Sequence, residues 1–311
     1  MFGGLADLQL PAPALVCHVH DCLRFEILLP AVNLPAGQSR YLWVTRTGTT
    51  FLGTDNQVQP NLNTLARGID LPWSTRQPGY EVEVFAEGLT LPVNIAFLPN
   101  PSSAPDSPFL YVTELYGDIK VIARDGTVGT FASGLIDFNP TGNFPGSGEQ
   151  GLTGLAVDPV SDDVFVSLLY DSPSSPGTHY PKVVRLSSND GGRTAATQTT
   201  ILDMFGEPQG QSHQISNLSI HPDGKLIVHM GDGFVSATAQ DLGSFRGKLL
   251  RVNLDGSPAT DNPFYNAGDG IAVIDYVYAY GVRNPFGGDY RAADGLHYTV
   301  ENGPSIDRFC Q

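Results

Sequence analysis

The sequence predicts an all-β fold of the β-propeller class, and three observations support that prediction. Gly and Pro number 35 and 24 among the 311 residues, about 19% together against roughly 12% in average proteins, which favours short strands and turns over long helices. A phrase made of an apolar strand, a turn and a second apolar strand recurs about every 60 to 70 residues. Further apolar runs between the copies bring each unit to about four strands, which is typical of a propeller blade.

The predicted strands follow one another in a regular order. The four repeated pairs cover residues 94–99 and 109–113, 154–159 and 164–167, 217–222 and 226–229, and 284–287 and 296–299. Additional strands are predicted over residues 118–122, 182–186 and 248–252. The alternative is a β-sandwich with accidentally similar hairpins, but a sandwich rarely repeats one phrase at even spacing. We therefore expect a propeller of about four blades.

The repeat begins only at Gly79, which predicts two regions. Residues 1–78 contain apolar runs punctuated by proline but no repeat, and they suggest an N-terminal extension or a small β module. Residues 79–311 form the predicted propeller domain, which is incomplete if a full propeller needs more than four blades. Three cysteines, Cys17, Cys22 and Cys310, leave one unpaired, and Cys17 with Cys22 could form a disulfide in an exported protein.

Charge and hydropathy exclude several classes of partner. With 17 Lys and Arg against 32 Asp and Glu, the net charge is −15. Such an acidic surface repels phosphate backbones and anionic lipid, so we expect neither nucleic-acid nor membrane-surface binding, while it suits Ca²⁺. No apolar run reaches the length of a membrane-spanning helix, and the N-terminus has no clear signal peptide.

Two polar, glycine-rich phrases are candidates for chemistry. Glu149 opens a predicted inner strand, where its carboxylate could face the propeller axis; a solvated loop glutamate is the alternative. His213 occupies the corresponding position in the next repeat. A neutral imidazole there could accept a proton from a substrate hydroxyl, and a hydrogen-bonded histidine on a blade rim is the alternative. His221, by contrast, is interpreted as a turn residue.

Two later phrases add a cation and a set of carbonyls. Arg283 lies at the entry of the fourth repeat, where its guanidinium could bind carboxylates or stabilise an oxyanion, or else cap strand carbonyls. Gly303 and Pro304 form a tight turn whose exposed backbone oxygens suit Ca²⁺, although an ordinary turn has the same sequence.

These phrases together resemble the soluble glucose dehydrogenases and aldose sugar dehydrogenases that depend on pyrroloquinoline quinone (PQQ), also called glucose/sorbosone dehydrogenases. The resemblance extends over about residues 79–311. The matching phrases are residues 88–92, 148–159, 212–214, 231–233, 239–241, 246–253, 255–257, 261–264, 280–285 and 301–304. It implies a six-bladed propeller that oxidises the anomeric hydroxyl of an aldose to a lactone by hydride transfer to PQQ.

The resemblance also implies roles for single residues. His213 corresponds to the general base, and Arg283 to the residue that holds the reactive carbonyl of the quinone and stabilises the charge developing there. Asn284 would contact the cofactor beside it. Glu149 would lie near substrate and quinone, and Ser212 near the sugar.

The backbone carbonyls of Gly303 and Pro304 correspond to ligands of a Ca²⁺ ion that polarises PQQ. A dye or cytochrome-type acceptor and a periplasmic or extracellular location are further implications of the resemblance.

The sequence departs from the family at three places. The family continues with more blades, so we expect a member truncated at its C-terminus. An acidic pair after Pro304 is replaced by residues 305–309, and a glycine pair with an arginine after His213 is replaced by Ile215, Ser216 and Asn217. Two other functions remain open: a non-catalytic propeller that binds protein or glycan, and a Ca²⁺-dependent lactonase-type hydrolase.

Overall fold

The computed structural model describes residues 85–140, 149–303 and 306–310, and the backbone of four short strands within the first 54 residues. The chain divides into two compact units, Met1–Val84 and Phe85–Gln311. The predicted boundary after residue 78 stays a prediction because residues 55–84 lie outside the described part. The side chains of Cys17 and Cys22 also lie outside it, whereas Cys310 carries a free thiol.

The first unit contains one antiparallel sheet whose strands are in chain order. Its strands are β1 (Leu15–Cys17), β2 (Cys22–Phe25), β3 (Arg40–Thr45) and β4 (Thr50–Thr54).

The second unit confirms the all-β prediction, with four sheets in a propeller arrangement. The first sheet contains β5 (Pro92–Phe97), β6 (Pro108–Glu114), β7 (Asp118–Ala123) and β8 (Val128–Ala132). The second contains β9 (Leu152–Val157), β10 (Val164–Ser172), β11 (Ser175–Ser188) and β12 (Ala195–Asp203). The third contains β13 (Ile215–Ile220), β14 (Lys225–Met230), β15 (Lys248–Asn253) and β16 (Val277–Tyr280). The fourth contains β17 (Gly287–Arg291), β18 (Leu296–Glu301) and β19 (Arg308–Cys310).

Each of these four sheets is an antiparallel meander, and their first strands contact one another in order, β5 with β9, β9 with β13 and β13 with β17. Two short 3₁₀ turns, Ser236–Gln240 and Val273–Tyr276, lie between strands of the third sheet. Within the described residues, no helix has the length and apolar character needed to cross a membrane. The first strands of the first three sheets begin two residues earlier than predicted. β17 begins at Gly287 rather than at residue 284, because Pro285 has no N–H to donate to a ladder.

Strand β10 of the second sheet is buried on both faces over its first six residues, which explains their nearly continuous apolar sequence. Val164 and Val166 of β10 pack toward the first sheet, in a core that also contains Tyr111. Phe165, between them, packs toward the third sheet with Leu250. Alternation along one strand therefore supplies both inter-sheet cores.

The third and fourth sheets meet through polar groups instead. Ser216 Oγ donates to the carbonyl of Pro285 at 2.5 Å, and Asn217 Nδ2 donates to that of Gly288 at 2.6 Å. Three buried imidazoles also hydrogen-bond there. His297 Nδ1 lies 2.9 Å from His221 Nε2, and His297 Nε2 lies 3.0 Å from His229 Nε2. We call His221, His229 and His297 the histidine cluster.

Candidate active site

Polar residues converge where the inner strands begin and their neighbours end. In an antiparallel pair these two termini lie at the same edge of the sheet. Glu149 precedes β9 and His213 precedes β13, while Asp232 follows β14. Arg283 and Asn284 precede β17. The loops of the second, third and fourth sheets therefore form one site.

The centre of this site is a buried pair of His213 and Asp232. His213 Nδ1 lies 2.5 Å from Asp232 Oδ1, and the two residues are only 4% and 3% exposed. Nε2 of His213 makes no hydrogen bond to any residue that the structure describes. A carboxylate on Nδ1 holds the ring so that Nε2 remains available as a proton acceptor. A Gly-Asp-Gly phrase after an apolar strand marks Asp232 in the sequence, but that phrase alone did not predict its role.

The backbone of His213 is held in a strained conformation. Its φ is +61°, in the left-handed region, which costs a non-glycine residue roughly 1–2 kcal/mol. Glu149 Oε2 accepts a hydrogen bond from His213 N at 2.9 Å, and Gly233 N donates to His213 O at 3.0 Å. Gly231 passes so close that a Cβ there would overlap the His213 carbonyl. The contacts with Glu149, Gly233 and Gly231 thus fix the backbone of His213 and, with it, the direction of its ring.

Glu149 connects three sheets. Besides His213 N, its carboxylate accepts a hydrogen bond from Asn284 Nδ2, at 3.2 Å to Oε2, and its own N–H donates to Gln211 O at 2.7 Å. Burial raises the pKa of the Glu149 carboxyl, and the hydrogen bonds from His213 and Asn284 act in the opposite direction. The carboxylate is therefore a partly desolvated acceptor beside the histidine.

Arg283 is hydrogen-bonded to residues of both the third and the fourth sheets. Its backbone carbonyl accepts from Asp232 N at 2.8 Å, and its backbone N–H donates to Glu301 Oε2 at 2.6 Å. Its guanidinium Nη1 donates to Asn302 O at 2.9 Å and to Asn302 Oδ1 at 2.8 Å. Glu301 is 1% exposed and also pairs with Arg308. The sequence did not predict these contacts of Glu301 and Asn302.

Asn284 presents an unused acceptor. The residue is 1% exposed, and its buried Oδ1 has no hydrogen-bond partner among the described residues. A buried acceptor without a partner costs free energy and calls for a ligand or an ordered water. The Asn284 side chain thus offers a hydrogen-bonding position beside the His213–Asp232 pair.

The remaining predicted site residues are Gly303, Pro304 and Ser212. Gly303 packs so closely that a Cβ on it would overlap the carbonyl oxygen of Ile306. Pro304, its predicted companion, lies outside the described residues. The described residues include no group of three or more His, Cys, Asp or Glu side chains placed to hold a metal ion. Ser212 is half-buried and forms no hydrogen bond with another described residue.

The residues after His213 have a structural use. Ser216 and Asn217, which replace family residues in the sequence comparison, donate the two hydrogen bonds that link the third sheet to Pro285 and Gly288. Since Pro285 follows Asn284 directly, these bonds also fix the loop that carries Arg283 and Asn284.

Known proteins match this unit in both sequence and structure. The family model described as Glucose / Sorbosone dehydrogenase matches residues 89–307. Quinoprotein glucose dehydrogenase B of Acinetobacter calcoaceticus is 28% identical over 183 residues, which are 51% of this chain and 37% of that protein.

Two solved structures resemble the fold. A putative oxidoreductase (glucose dehydrogenase) from Thermus thermophilus has a TM-score of 0.59 and 29% identity, covering 73% of this chain and 63% of its own. The PQQ-bound aldose sugar dehydrogenase of Streptomyces coelicolor has a TM-score of 0.54 and 24% identity, with coverage of 73% and 61%. The chain spans less than two thirds of the length of each of these proteins.

Proposed function

The chain belongs to the glucose/sorbosone dehydrogenase family, and from this premise we propose that it oxidises the anomeric hydroxyl of an aldose to a lactone, with PQQ as the hydride acceptor. His213 is the general base. The relatives described above are named as quinoprotein, glucose or aldose sugar dehydrogenases, so the alternatives of a binding module or a lactonase gain no support from them.

The observation that carries the proposal is the His213–Asp232 pair. Removal of the proton of the anomeric hydroxyl needs an acceptor within hydrogen-bond reach of that oxygen. His213 Nε2 bonds to none of the described residues and can take this proton, and Asp232 on Nδ1 would stabilise the positive charge that the ring gains. The sugar would give up its C1 hydrogen with the electron pair to the bound quinone, and the loss of this hydride together with the hydroxyl proton would leave the lactone.

The residues beside the pair fit a planar quinone with polar edges. Bound PQQ would supply a carbonyl-bearing ring that accepts the hydride. The unpartnered Oδ1 of Asn284 and the guanidinium of Arg283 are the polar groups available to position it. Arg283 would hold positive charge near the oxygen on which negative charge develops. Glu149 would orient the sugar or the quinone from the other side, and Ser212 would contact the sugar.

The turn at Gly303 would hold Ca²⁺ through the backbone carbonyls of Gly303 and Pro304. Carbonyl oxygens are ligands that this cation prefers, and the ion would act as a Lewis acid on the quinone. A dye or cytochrome-type electron acceptor and a periplasmic or extracellular location complete the proposal.

A titration of the full chain with PQQ and Ca²⁺ tests the proposal. We expect saturable PQQ absorbance changes, a raised melting temperature and dye-linked oxidation of at least one aldose. The His213→Ala variant should still bind PQQ while its turnover falls by about 10²–10⁴-fold.

Separate measurements distinguish the parts of the proposal. Absence of PQQ binding would overturn it outright. PQQ binding with aldose oxidation that His213→Ala leaves unchanged would remove His213 as the base. PQQ binding and turnover that survive exhaustive chelation would remove the role given to Gly303 and Pro304.

A further inference from the structure

An exposed aromatic ring lies directly against His213. Phe234 follows Asp232 by two residues and is 58% exposed. Its ring stacks on the His213 imidazole, with centroids 4.1 Å apart and planes 23° apart. One face of the Phe234 ring therefore covers the imidazole, and more than half of the residue is exposed to solvent.

The turn that carries this ring is held in an unfavourable backbone conformation. Gly233 has φ +60° and Phe234 has φ +66°, so a bulky residue occupies the left-handed region that favours glycine. Only four non-glycine residues in the described part of the chain have positive φ, and His213 and Phe234 are two of them.

The same carboxylate controls both rings. Asp232 Oδ1 accepts from Phe234 N at 3.0 Å while it binds His213 Nδ1, and Asp232 O accepts from Val235 N at 2.9 Å. Phe234 is thus fixed relative to the proton acceptor rather than placed by chance on a mobile loop.

Neither strain nor exposure favours phenylalanine here. Asparagine or glycine would adopt this backbone at lower cost, and an exposed ring gains little from burial. Strained residues that persist in such surroundings are typical of functional sites. Within the described part of the chain, Phe234 is also the aromatic residue whose ring stacks on the His213 imidazole.

We propose that Phe234 positions the substrate by contacting the apolar C–H groups of the sugar ring with the exposed edge that the imidazole leaves open. This inference rests on the proposed function. Aromatic side chains provide flat apolar surfaces at low conformational cost, and ligand sites combine such surfaces with a few polar groups. Because one face of Phe234 covers the imidazole, a pyranose at the edge of the phenyl ring would also lie at the edge of the imidazole, and its anomeric hydroxyl could reach Nε2 in a fixed geometry.

The matched variants Phe234→Asn and Phe234→Tyr separate the ring from the fold. Asparagine tolerates the left-handed region and keeps the backbone N–H that binds Asp232, but it lacks the ring. We expect Phe234→Asn to raise KM for aldoses about ten-fold, with a smaller change in kcat and no loss in melting temperature. Phe234→Tyr should stay within about three-fold of the wild type.

Equal KM values for Phe234→Asn and the wild type, in protein that binds PQQ and oxidises sugar, would overturn the inference and leave the proposed function intact. If the wild type oxidises no aldose, calorimetric titration of both proteins with glucose decides the role of Phe234. Weaker glucose binding by Phe234→Asn would then support it, and equal binding, or none by either protein, would overturn it.

Discussion

His213 and the histidine cluster both lie on or beside the third sheet, and they differ in the groups to which their imidazoles bond. His213 bonds to a carboxylate at the mouth of the site. His221, His229 and His297 bond to one another between the third and fourth sheets. Burial is similar in both places, so the partner rather than the environment decides what the ring can do.

In the histidine cluster, only neutral rings are compatible with the contacts. Burial is the main cause that lowers the pKa of His229 to about 3 and that of His297 to about 4, and the neighbouring imidazoles lower both further. The pKa of His221 is also lowered by burial and by Arg251, although Asp223 and Asp289 act in the opposite direction. A carboxylate beside His213, in contrast, stabilises the positive charge of a proton transfer. The comparison assigns the cluster a structural role and supports the proposal that the pair takes part in the chemistry.

The change with the largest expected effect removes the charge of the carboxylate. Asp232→Asn keeps an oxygen for hydrogen bonding but no longer stabilises a protonated ring or fixes its tautomer. We expect turnover with PQQ and an aldose to fall by about 10²–10⁴-fold, with the melting temperature within a few degrees of the wild type. Steady-state kinetics and a thermal melt measure both. Unchanged turnover would show that His213 needs no anionic partner.

Lowering the pH should reduce the free energy of unfolding through protonation of the histidine cluster. Because the folded pKa values lie below the unfolded value of about 6.5, the stability tied to neutral rings is complete above pH 6.5 and is lost as the pH falls toward 4 and 3. Between pH 7 and pH 5 we expect a loss of roughly 2 kcal/mol for each of His229 and His297. Thermal or denaturant unfolding across this pH range measures it.

His229→Phe provides the matched control for the acid effect. Phenylalanine has a similar shape and cannot be protonated, so the pH dependence should shrink by about the contribution of one histidine. If the slope of stability against pH is the same in both proteins, the cluster is not its origin.

Ser216→Ala tests whether hydrogen bonds other than those of the histidines hold the third sheet to the fourth. The variant leaves the buried carbonyl of Pro285 without its donor, which costs about 1–3 kcal/mol. The loss should be independent of pH, unlike that of the cluster. A loss that appears only in acid would contradict this division of roles.

Glu149→Gln should have the smallest effect. The glutamine oxygen can still accept from His213 N, and the Asn284 amide can reverse to present its unpartnered Oδ1 to the new NH₂ group. Because burial opposes ionisation of Glu149, the variant should be as stable as the wild type or slightly more stable. We expect turnover within about ten-fold, and a loss approaching that of Asp232→Asn would give Glu149 a direct part in proton transfer.

The sequence predicted the fold because apolar alternation and turn residues are local signals. It also predicted that Glu149, His213, Arg283 and Asn284 meet, since each precedes the inner strand of its repeat. Asp232 lies at the end of a second strand, and only the antiparallel pairing brings that end to the same edge.

Side-chain contacts between distant residues were harder to predict. The interpretation of His221 as a turn residue is correct for its backbone, but its ring is buried against His297, 76 residues away. The stacking of Phe234 depends on two backbone angles that no spacing rule provides. The ligand role of Pro304 stays a prediction, because that residue lies outside the described part of the chain.

The carboxylate of Glu149 has a consequence for the order of folding. Its acceptor atoms join residues separated by 64 and 135 positions along the chain, whereas each sheet closes through neighbouring hairpins. Contacts over such separations form after local ones, because closing long loops costs entropy before the contact repays it. The three sheets must therefore dock before the His213 amide finds its acceptor. Protection of that single amide from deuterium exchange would thus report, during refolding, the moment at which the catalytic end of the propeller is complete.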